Sequence, residues 1–262
     1  MGEKLNKKDL TTFTFTPMLD RPTDRPTDRP TDRPTDRPLR VLVACEESQR
    51  VCMAFRERGH EAFSCDVNES SGGHPEWHIR GDCLPLLNGN VSFTTDDGAQ
   101  RGIQGRWDLI IGFPPCTYLT NAGAARLFRN VHDGEFQMVN IERLKNGILG
   151  RDLFMAILHA DCDRIAVENP VPSGIFCMPK ASQIIQPYNF GHPFSKKTCL
   201  WLKNLPPLLP TEIVVPKGSW VSGGSKKADG SPRENRGETF RDSYTKSKTF
   251  PGIAKAMALY WG

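Results

Sequence analysis

The sequence predicts an α/β fold built on a doubly wound, mostly parallel sheet. Short apolar runs, bounded by glycine, proline or acidic residues, alternate with longer stretches of helical composition, which is typical of βαβ units. The predicted strands span residues 41–44, 61–65, 78–80, 107–112 and 164–167, and residues 182–186 and 198–202 add strands at one edge. The predicted helices span residues 49–59, 141–160 and 251–260.

Composition divides the chain of 262 residues into four segments. Residues 1–38 are predicted to be a disordered tail, because Asp-Arg-Pro-Thr repeats from Asp20 to Pro38 place proline at every fourth position and so block helix and sheet pairing. Residues 39–202 form the predicted main domain, which a helix in residues 250–262 completes. Residues 203–249 are predicted to be a basic, loop-rich segment.

The charge is distributed unevenly along the chain. The formal net charge is +4, but residues 196–262 hold twelve basic and only five acidic side chains. A basic C-terminal quarter on a mildly acidic body is typical of a protein that docks a polyanion on one face, although a solvated loop has the same composition. The residues available for such contacts in the loop-rich segment are Trp220, Lys226, Lys227, Arg233, Arg236, Arg241, Lys246 and Lys248.

The eight cysteines include no Cys-x-x-Cys pair, and several lie in apolar segments, which is typical of reduced thiols in a cytoplasmic protein. A zinc site formed by Cys65, His74, His78 and Cys83 matches no standard ligand spacing, so we predict no metal. No apolar run reaches the length of a membrane span, and we expect no association with a membrane.

The segment Pro114-Pro115-Cys116-Thr117 directly follows an apolar strand. Two prolines end the strand and stiffen its exit, so the Cys116 thiol is the first reactive side chain beyond the sheet edge. Ligands bind at the carboxyl ends of parallel strands, and this position therefore favours a nucleophile. The alternative is a structural cysteine, because free cysteine is among the most buried residue types.

Acidic residues follow three of the predicted strands: Glu46 or Glu47, then Asp66, then Asp82. Asp66 is placed to accept hydrogen bonds from ribose hydroxyls, and Asp82 to hold an adenine amino group. The turn at residues 44–48 has no Gly-x-Gly and carries two glutamates, which disfavours a phosphate-bearing cofactor and tolerates a cationic one. The alternative, that these acids merely cap helix N-termini, stays open.

Two segments resemble motifs of the DNA (cytosine-5)-methyltransferases, and the chain looks most like their short, divergent phage-type members. The segments are Gly112-Phe113-Pro114-Pro115-Cys116, which resembles the Pro-Pro-Cys motif, and Val167-Glu168-Asn169-Pro170, which resembles the Glu-Asn-Val motif. The resemblance runs through residues 39–202 and the last helix. It implies a Rossmann-like sheet of the S-adenosylmethionine-dependent methyltransferase type with a minimal basic C-terminal insert. It also implies S-adenosylmethionine, or a modified form of it, as cofactor and DNA as partner. We expect a monomer in the cytoplasm, or in the host cytoplasm if the protein is phage-encoded.

The resemblance also implies roles for individual residues. It implies transfer of a methyl or related group to carbon 5 of cytosine through a covalent adduct of Cys116, with Glu168 at ring nitrogen 3. Residues 193–198 resemble the family's Pro-Gln-x-Arg-x-Arg segment, in which Lys196 and Thr198 fall on the two arginines. The implied cofactor-binding residues are Ala44, Cys45, Glu46, Asp66, Val67, Asp82 and Pro114.

Three departures from the family pattern leave a second interpretation open. The glycine-rich turn is missing, Thr117 stands in place of a glutamine, and only residues 203–249 are available for target recognition. Under this second interpretation, the chain is a catalytically degenerate relative that binds nucleic acid or a partner protein. Methylation of an amino group is disfavoured, because Phe113 and Cys116 replace the polar acceptor and the aromatic ring of those enzymes.

Overall fold

The computed structural model describes residues 37–124, 126–131, 136–220 and 247–262. The predicted tail and its repeats therefore lie outside the described residues up to position 36. The same holds for most basic residues of the loop-rich segment, namely Lys226, Lys227, Arg233, Arg236, Arg241 and Lys246.

The main sheet extends in two directions from its central strands. The strands in chain order are β1 (Arg40–Ala44), β2 (Glu61–Asp66), β3 (His78–Arg80), β4 (Val91–Thr94), β5 (Gln100–Ile103), β6 (Leu109–Gly112), β7 (Phe128–Val131), β8 (Phe136–Val139), β9 (Ile165–Pro170), β10 (Gln183–Ile185), β11 (Phe194–Ser195), β12 (Thr198–Lys203) and β13 (Gly218–Ser219). Seven of them form one sheet in the order β10-β12-β9-β6-β1-β2-β3. Neighbours from β3 through β9 are parallel, whereas β12 is antiparallel to both β9 and β10.

The strand order reverses between β1 and β6, because the chain first runs outward to β3 and then crosses to the other side. This arrangement confirms the predicted doubly wound, mostly parallel, Rossmann-like sheet of the methyltransferase type. Ligands of such sheets bind beside the reversal point, at the carboxyl ends of the strands. The central strands carry almost only apolar side chains because both faces of the sheet are covered; Val41 and Ile111 are fully buried.

Helices cover both faces of the sheet. The helices are α1 (Arg50–Arg56), α2 (Asn121–Ala124), α3 (Ile141–Leu158) and α4 (Pro251–Trp261). The core on one face includes Phe55 of α1 and Trp261 of α4, and the core on the other includes Phe154 and Ile157 of α3. None of the described helices is long and apolar enough to span a membrane.

A missing side chain lets α3 lie close against β6. A Cβ atom built on Gly112 would lie 2.7 Å from Cγ2 of Ile157, a distance that real Cβ atoms essentially never adopt. Gly112 is the last residue of β6, so this close packing fixes the point from which the Pro-Pro-Cys segment leaves the sheet.

Several predicted boundaries are wrong, and the most informative error concerns β9. The strand extends to Pro170 rather than ending at residue 167, because β12 pairs with it as far as the Thr198–Pro170 register. The two strands predicted to extend one edge are present there as β12 and, beyond it, β10. Helix α1 begins after Gln49, which adopts a left-handed conformation with φ of 56°.

Two hairpins were not predicted from sequence. β4 pairs with β5 and β7 pairs with β8, both antiparallel. The β4–β5 hairpin has few buried apolar side chains, and in it only Phe93 and Ile103 are buried. Its pattern therefore carries little of the periodicity that identifies a strand.

Candidate active site

The Pro-Pro-Cys segment is tied to the neighbouring strand end by a buried asparagine. The side-chain amide of Asn169 in β9 donates a hydrogen bond of 2.9 Å to the carbonyl oxygen of Pro114. Asn169 is 1% exposed, and its Oδ1 atom accepts no hydrogen bond from the part of the chain that the structure describes. The amide thus holds the exits of β6 and β9 together and leaves one buried acceptor available.

The backbone turns sharply at the candidate nucleophile. The carbonyl oxygen of Cys116 accepts hydrogen bonds from the backbone N–H groups of Leu119 and Thr120, at 3.1 and 3.3 Å. Cys116 itself is partly exposed, so the residue at this turn is not packed fully into the core.

Cys116, Glu168 and Lys196 share one electrostatic environment. Burial raises the pKa of the Cys116 thiol, the nearby Glu168 carboxylate raises it further, and the Lys196 ammonium lowers it. Burial likewise raises the pKa of Glu168, and Lys196 opposes that shift. The thiol, the carboxyl and the ammonium groups predicted from sequence therefore lie within electrostatic reach of one another.

Lys196 and Thr198 are positioned by local hydrogen bonds before β12. The backbone N–H of Lys196 donates to Oε1 of Gln186 at 2.9 Å. The Thr198 hydroxyl donates to the Lys196 carbonyl oxygen at 3.2 Å, and Thr198 is 3% exposed. Thr198 thus supports the backbone beside Lys196, and a buried neutral hydroxyl replaces the charge that an arginine would supply.

Glu46, at the end of β1, caps the N-terminus of α1. Its carboxylate accepts hydrogen bonds from the backbone N–H groups of Val51 and Cys52, at 2.7 and 3.1 Å. Burial raises the pKa of Glu46 to about 7 despite these two donors. Both oxygens are engaged inside the protein, so a cofactor at this turn would meet the backbone instead of this carboxylate.

Asp66 and Asp82 each use one carboxylate oxygen within their own turn. Oδ1 of Asp66 accepts from the backbone N–H of Asn68 at 2.9 Å, and Oδ1 of Asp82 accepts from that of Leu84 at 3.0 Å. Within the described residues, no hydrogen bond reaches the second oxygen of either side chain. Each aspartate therefore caps its turn with one oxygen and presents the other as an acceptor, at the ends of β2 and β3. Val67, beside Asp66, is 71% exposed and contributes little packing.

The turn after β1 contains a non-glycine residue in the left-handed region. Cys45 has φ of 59°, a conformation that costs roughly 1 kcal/mol in a residue with a Cβ. Ala44, just before it, is fully buried, and its carbonyl oxygen accepts from the Phe113 N–H at 2.9 Å. The Cys45 sulfur lies 3.9 Å from the Cys83 sulfur. The turn after β1, which lacks the expected glycines, therefore holds a strained backbone conformation at Cys45.

Two contacts at this edge carried no signal in the sequence. The Lys248 ammonium donates to the Ser71 hydroxyl at 2.8 Å and lies 4.0 Å from the Glu47 carboxylate. The Arg50 guanidinium donates to the Thr249 carbonyl at 2.7 Å. The segment before α4 therefore lies against the turns that follow β1 and β2, a contact between residues about 200 positions apart that no local pattern could predict.

Two surface cavities lie away from these residues. A cavity of about 450 Å³ is lined by Met53, Arg56, Glu57, Gly59, His60, His74 and Trp77. A second of about 220 Å³ lies along α3 and is lined by Ile141, Leu144, Lys145, Ile148 and Leu149. Neither cavity includes Cys116 or Glu168.

Comparisons with known proteins yield structural neighbours but no sequence relatives. No protein-family profile and no curated protein matches the chain. A protein assigned as a DNA modification methyltransferase encoded within an E. coli prophage is 14% identical over 68% of this chain and 52% of its own, with a TM-score of 0.39. A DNMT2 variant from Spodoptera frugiperda is 17% identical over 68% of this chain and 54% of its own, with a TM-score of 0.32. WbdD is 12% identical over 66% and 37%, with a TM-score of 0.34.

The chain spans about half or less of the length of these structures, and the likeness concerns the fold alone. The strand order and the arrangement of Cys116, Glu168 and Lys196 carry the functional argument.

Proposed function

We propose that this protein transfers a methyl group from S-adenosylmethionine, or a related group from a modified form of it, to carbon 5 of cytosine in DNA through a covalent adduct of Cys116. The observation that carries the proposal is the electrostatic coupling of Cys116, Glu168 and Lys196 at the exits of β6 and β9 and the start of β12. A thiol and a protonated carboxyl side by side are what activation of a pyrimidine ring requires.

The thiol supplies the nucleophile. Carbon 5 of cytosine is a poor nucleophile until a thiolate adds to carbon 6 and converts the ring into an enamine. Burial and Glu168 raise the pKa of Cys116, so formation of the thiolate depends on the ammonium of Lys196. Lys196 therefore acts on the reaction through the charge state of the sulfur.

The carboxyl supplies the acid. Because burial raises the pKa of Glu168, the side chain takes up a proton more readily than an exposed glutamate and can donate it to ring nitrogen 3 as the thiolate adds. A protonated Glu168 also no longer repels the thiolate. The two charge states that the reaction needs, a neutral carboxyl and an anionic sulfur, thus favour each other. After the transfer, a base removes the proton on carbon 5 and the thiol departs.

The ends of β1, β2 and β3 fit a cationic nucleoside better than a nucleoside phosphate. Asp66 and Asp82 each present a free carboxylate oxygen, and no glycine-rich turn offers a cradle of N–H groups to a phosphate. Asp66 would hold the ribose, Asp82 the adenine amino group, and the backbone of Ala44, Cys45 and Glu46, with Val67 and Pro114, would surround the rest. S-adenosylmethionine would supply an electrophilic methyl group on its sulfonium.

DNA would dock on the face that carries Lys196 and the exposed Lys197, with phosphates as the counter-charges. A base in a duplex must leave the stack to reach Cys116, which implies base flipping. The open strand edge at Cys116 suits an extruded base that enters from outside.

The test is transfer of tritium from labelled S-adenosylmethionine to cytosine-containing DNA. We expect label in DNA with the wild-type protein, and a loss of at least about 1,000-fold with Cys116→Ala. The matched control is Cys177→Ala, because Cys177 is exposed and lies after β9 away from the motif. DNA that contains 5-fluorocytosine should form a covalent complex with the wild-type protein and with Cys177→Ala, but not with Cys116→Ala.

A binding protein without catalysis is the competing outcome. The engagement of Glu46 by α1 favours it, because one predicted cofactor contact is taken by the helix. DNA binding that persists without any label transfer, and without a trapped complex, would establish that alternative.

A further inference from the structure

Two cysteines from different strand ends approach each other at the edge of the sheet. The sulfur atoms of Cys45, just after β1, and Cys83, just after β3, lie 3.9 Å apart, although 37 residues and the whole of β2 separate them in the chain. Cys83 is 4% exposed, whereas Cys45 retains contact with solvent. A small oxidant can therefore reach the pair from the Cys45 side.

The backbone at Cys45 gives a second, independent observation. A residue with a Cβ occupies the left-handed region here, at φ of 59°, where glycine would fit without strain. Strained conformations of this kind cluster at functional sites, where the strain serves the mechanism. In this chain the strain orients a cysteine side chain toward Cys83.

Charge also distinguishes the two thiols. The shared hydrogen bond, followed by burial, raises the pKa of Cys45, and the same hydrogen bond lowers the pKa of Cys83. The third thiol nearby, Cys65, donates to the Gly81 carbonyl oxygen at 3.5 Å, and burial raises its pKa. Cys65 is therefore engaged by a backbone carbonyl, whereas Cys45 and Cys83 are the two sulfur atoms that approach each other.

We propose that Cys45 and Cys83 form a reversible disulfide when hydrogen peroxide oxidises the protein. One sulfur attacks the peroxide and becomes a sulfenic acid, releasing water; the other sulfur then displaces the hydroxyl, forming the S–S bond and releasing a second water. The pair loses two electrons and two protons, and the peroxide is reduced to two waters. Its exposure favours Cys45 as the sulfur that attacks the peroxide, whereas its lowered pKa favours Cys83. Either order gives the same disulfide.

The required movement is small. A disulfide needs a sulfur–sulfur distance of about 2.05 Å, so the atoms must approach by roughly 2 Å. Both cysteines begin turns and lie outside regular strands: Cys45 precedes α1 and Cys83 precedes the 3₁₀ turn Leu84–Leu86. Rotation of the side chains and a slight shift of these turns can supply that approach.

The disulfide would join the turns that flank Asp66 and Asp82. If these residues hold S-adenosylmethionine, a clause that rests on the proposed function, the cross-link narrows the entry and weakens cofactor binding. We expect at least a tenfold increase in the Kd of the oxidised protein, reversed by dithiothreitol.

The test of the disulfide is peptide mapping of the full chain after hydrogen peroxide treatment. We expect a Cys45–Cys83 cross-linked peptide that disappears with dithiothreitol, is absent in Cys83→Ser, and persists in the control Cys177→Ser. No cross-link, a link that includes Cys65, or a link between two chains would overturn the proposal.

Cofactor binding is then measured separately, by titrating S-adenosylmethionine into the reduced and the oxidised wild-type protein. A higher Kd after oxidation that is not seen in Cys83→Ser supports the regulatory consequence, and an equal Kd overturns it. If even the reduced protein binds no S-adenosylmethionine, the proposed function fails while the peptide map still decides the disulfide.

Discussion

The two halves of the functional edge use their polar side chains differently. At the exits of β1, β2 and β3, the acids all accept hydrogen bonds from backbone N–H groups, Asp66 and Asp82 from their own turns and Glu46 from α1. At the exits of β6 and β9, no hydrogen bond or ion pair joins the Glu168 carboxylate to another described residue, and Oδ1 of Asn169 is an orphan. The first half stabilises its turns with its acids, whereas the second keeps polar groups available.

This difference indicates where chemistry is concentrated. A buried polar group without a partner lowers stability, so its presence in a folded protein calls for a functional explanation. Groups already engaged by backbone donors need no such explanation. Oδ1 of Asn169 is a group of this kind, whereas Glu168 is partly exposed. We therefore assign more functional weight to Asn169 than to Glu46, although the sequence presented both near strand ends.

After loss of the Cys116 thiol itself, the largest expected effect comes from removing the ionisable carboxyl of Glu168. Glu168→Gln should lower methyl transfer by about 100-fold or more, because the amide cannot donate a proton to ring nitrogen 3. The same change should accelerate alkylation of Cys116 by iodoacetamide, since the neighbouring negative charge that raises the thiol pKa is gone. Peptide mass spectrometry of the Cys116 peptide measures the rate. Slower alkylation in this variant would refute the coupling.

The next prediction concerns Glu46, at the exit of β1, and the pH dependence of the free energy of unfolding. The pKa of Glu46 is raised from 4.5 to about 7 in the folded protein, so its favourable contribution is present below about pH 4.5 and is lost as pH rises through 7. Between about pH 5 and pH 8 this group should lower the free energy of unfolding by roughly 2–3 kcal/mol.

Urea unfolding of Glu46→Gln at both pH values should lack that decrease, because the amide oxygen still accepts from the helix but does not ionise. Glu47→Gln is the matched control and should retain the pH dependence of the wild type. If Glu46→Gln retained it as well, the assignment of this proton to Glu46 would be wrong.

A smaller effect is expected from Lys196. Its ammonium lowers the pKa of Cys116, so Lys196→Gln should slow alkylation of Cys116 by roughly three- to tenfold near neutral pH and move the pH profile of alkylation upward. Lys197→Gln, one residue along, should leave the rate unchanged, because Lys197 acts on the pKa of the buried Cys199 instead. Equal effects of the two variants would indicate a general surface potential.

The smallest effect concerns Asp82. Asp82→Asn should change the free energy of unfolding by less than about 0.5 kcal/mol, because the amide oxygen can still accept from Leu84 on the surface. Isothermal titration should nevertheless show about fivefold weaker binding of S-adenosylmethionine, since a charged acceptor binds a donor more strongly than a neutral one. An unchanged affinity would make Asp82 a turn cap only.

Local pattern was enough to predict the sheet and the candidate nucleophile. The apolar run before Pro114 identified β6, and the two prolines located Cys116 beyond its end. Pairing partners could not be predicted in this way. Glu168 lies inside β9 because β12 pairs with it from about 30 residues away, and the Cys45–Cys83 approach depends on the registers of β1, β2 and β3.

The sequence also left two interpretations of the strand-end acids open, as ligands of a cofactor or as caps. Whether Glu46 meets solvent depends on the direction in which α1 leaves its turn, and the left-handed Gln49 sets that direction. Strand-end position alone carries no information on that conformation. Hydrogen-bond donors that arrive from the next element thus decide what an acidic residue can do.

The glycine that ends β6 has a consequence for the whole motif. The space between β6 and α3 is too small for a methyl group at position 112. The requirement for glycine there therefore comes from packing against α3. An alanine at this position would clash with Ile157 and shift the end of β6. The sulfur of Cys116, four residues later, would move with it. The position of the Cys116 thiol therefore depends on the packing of β6 against α3, through the contact between Gly112 and Ile157.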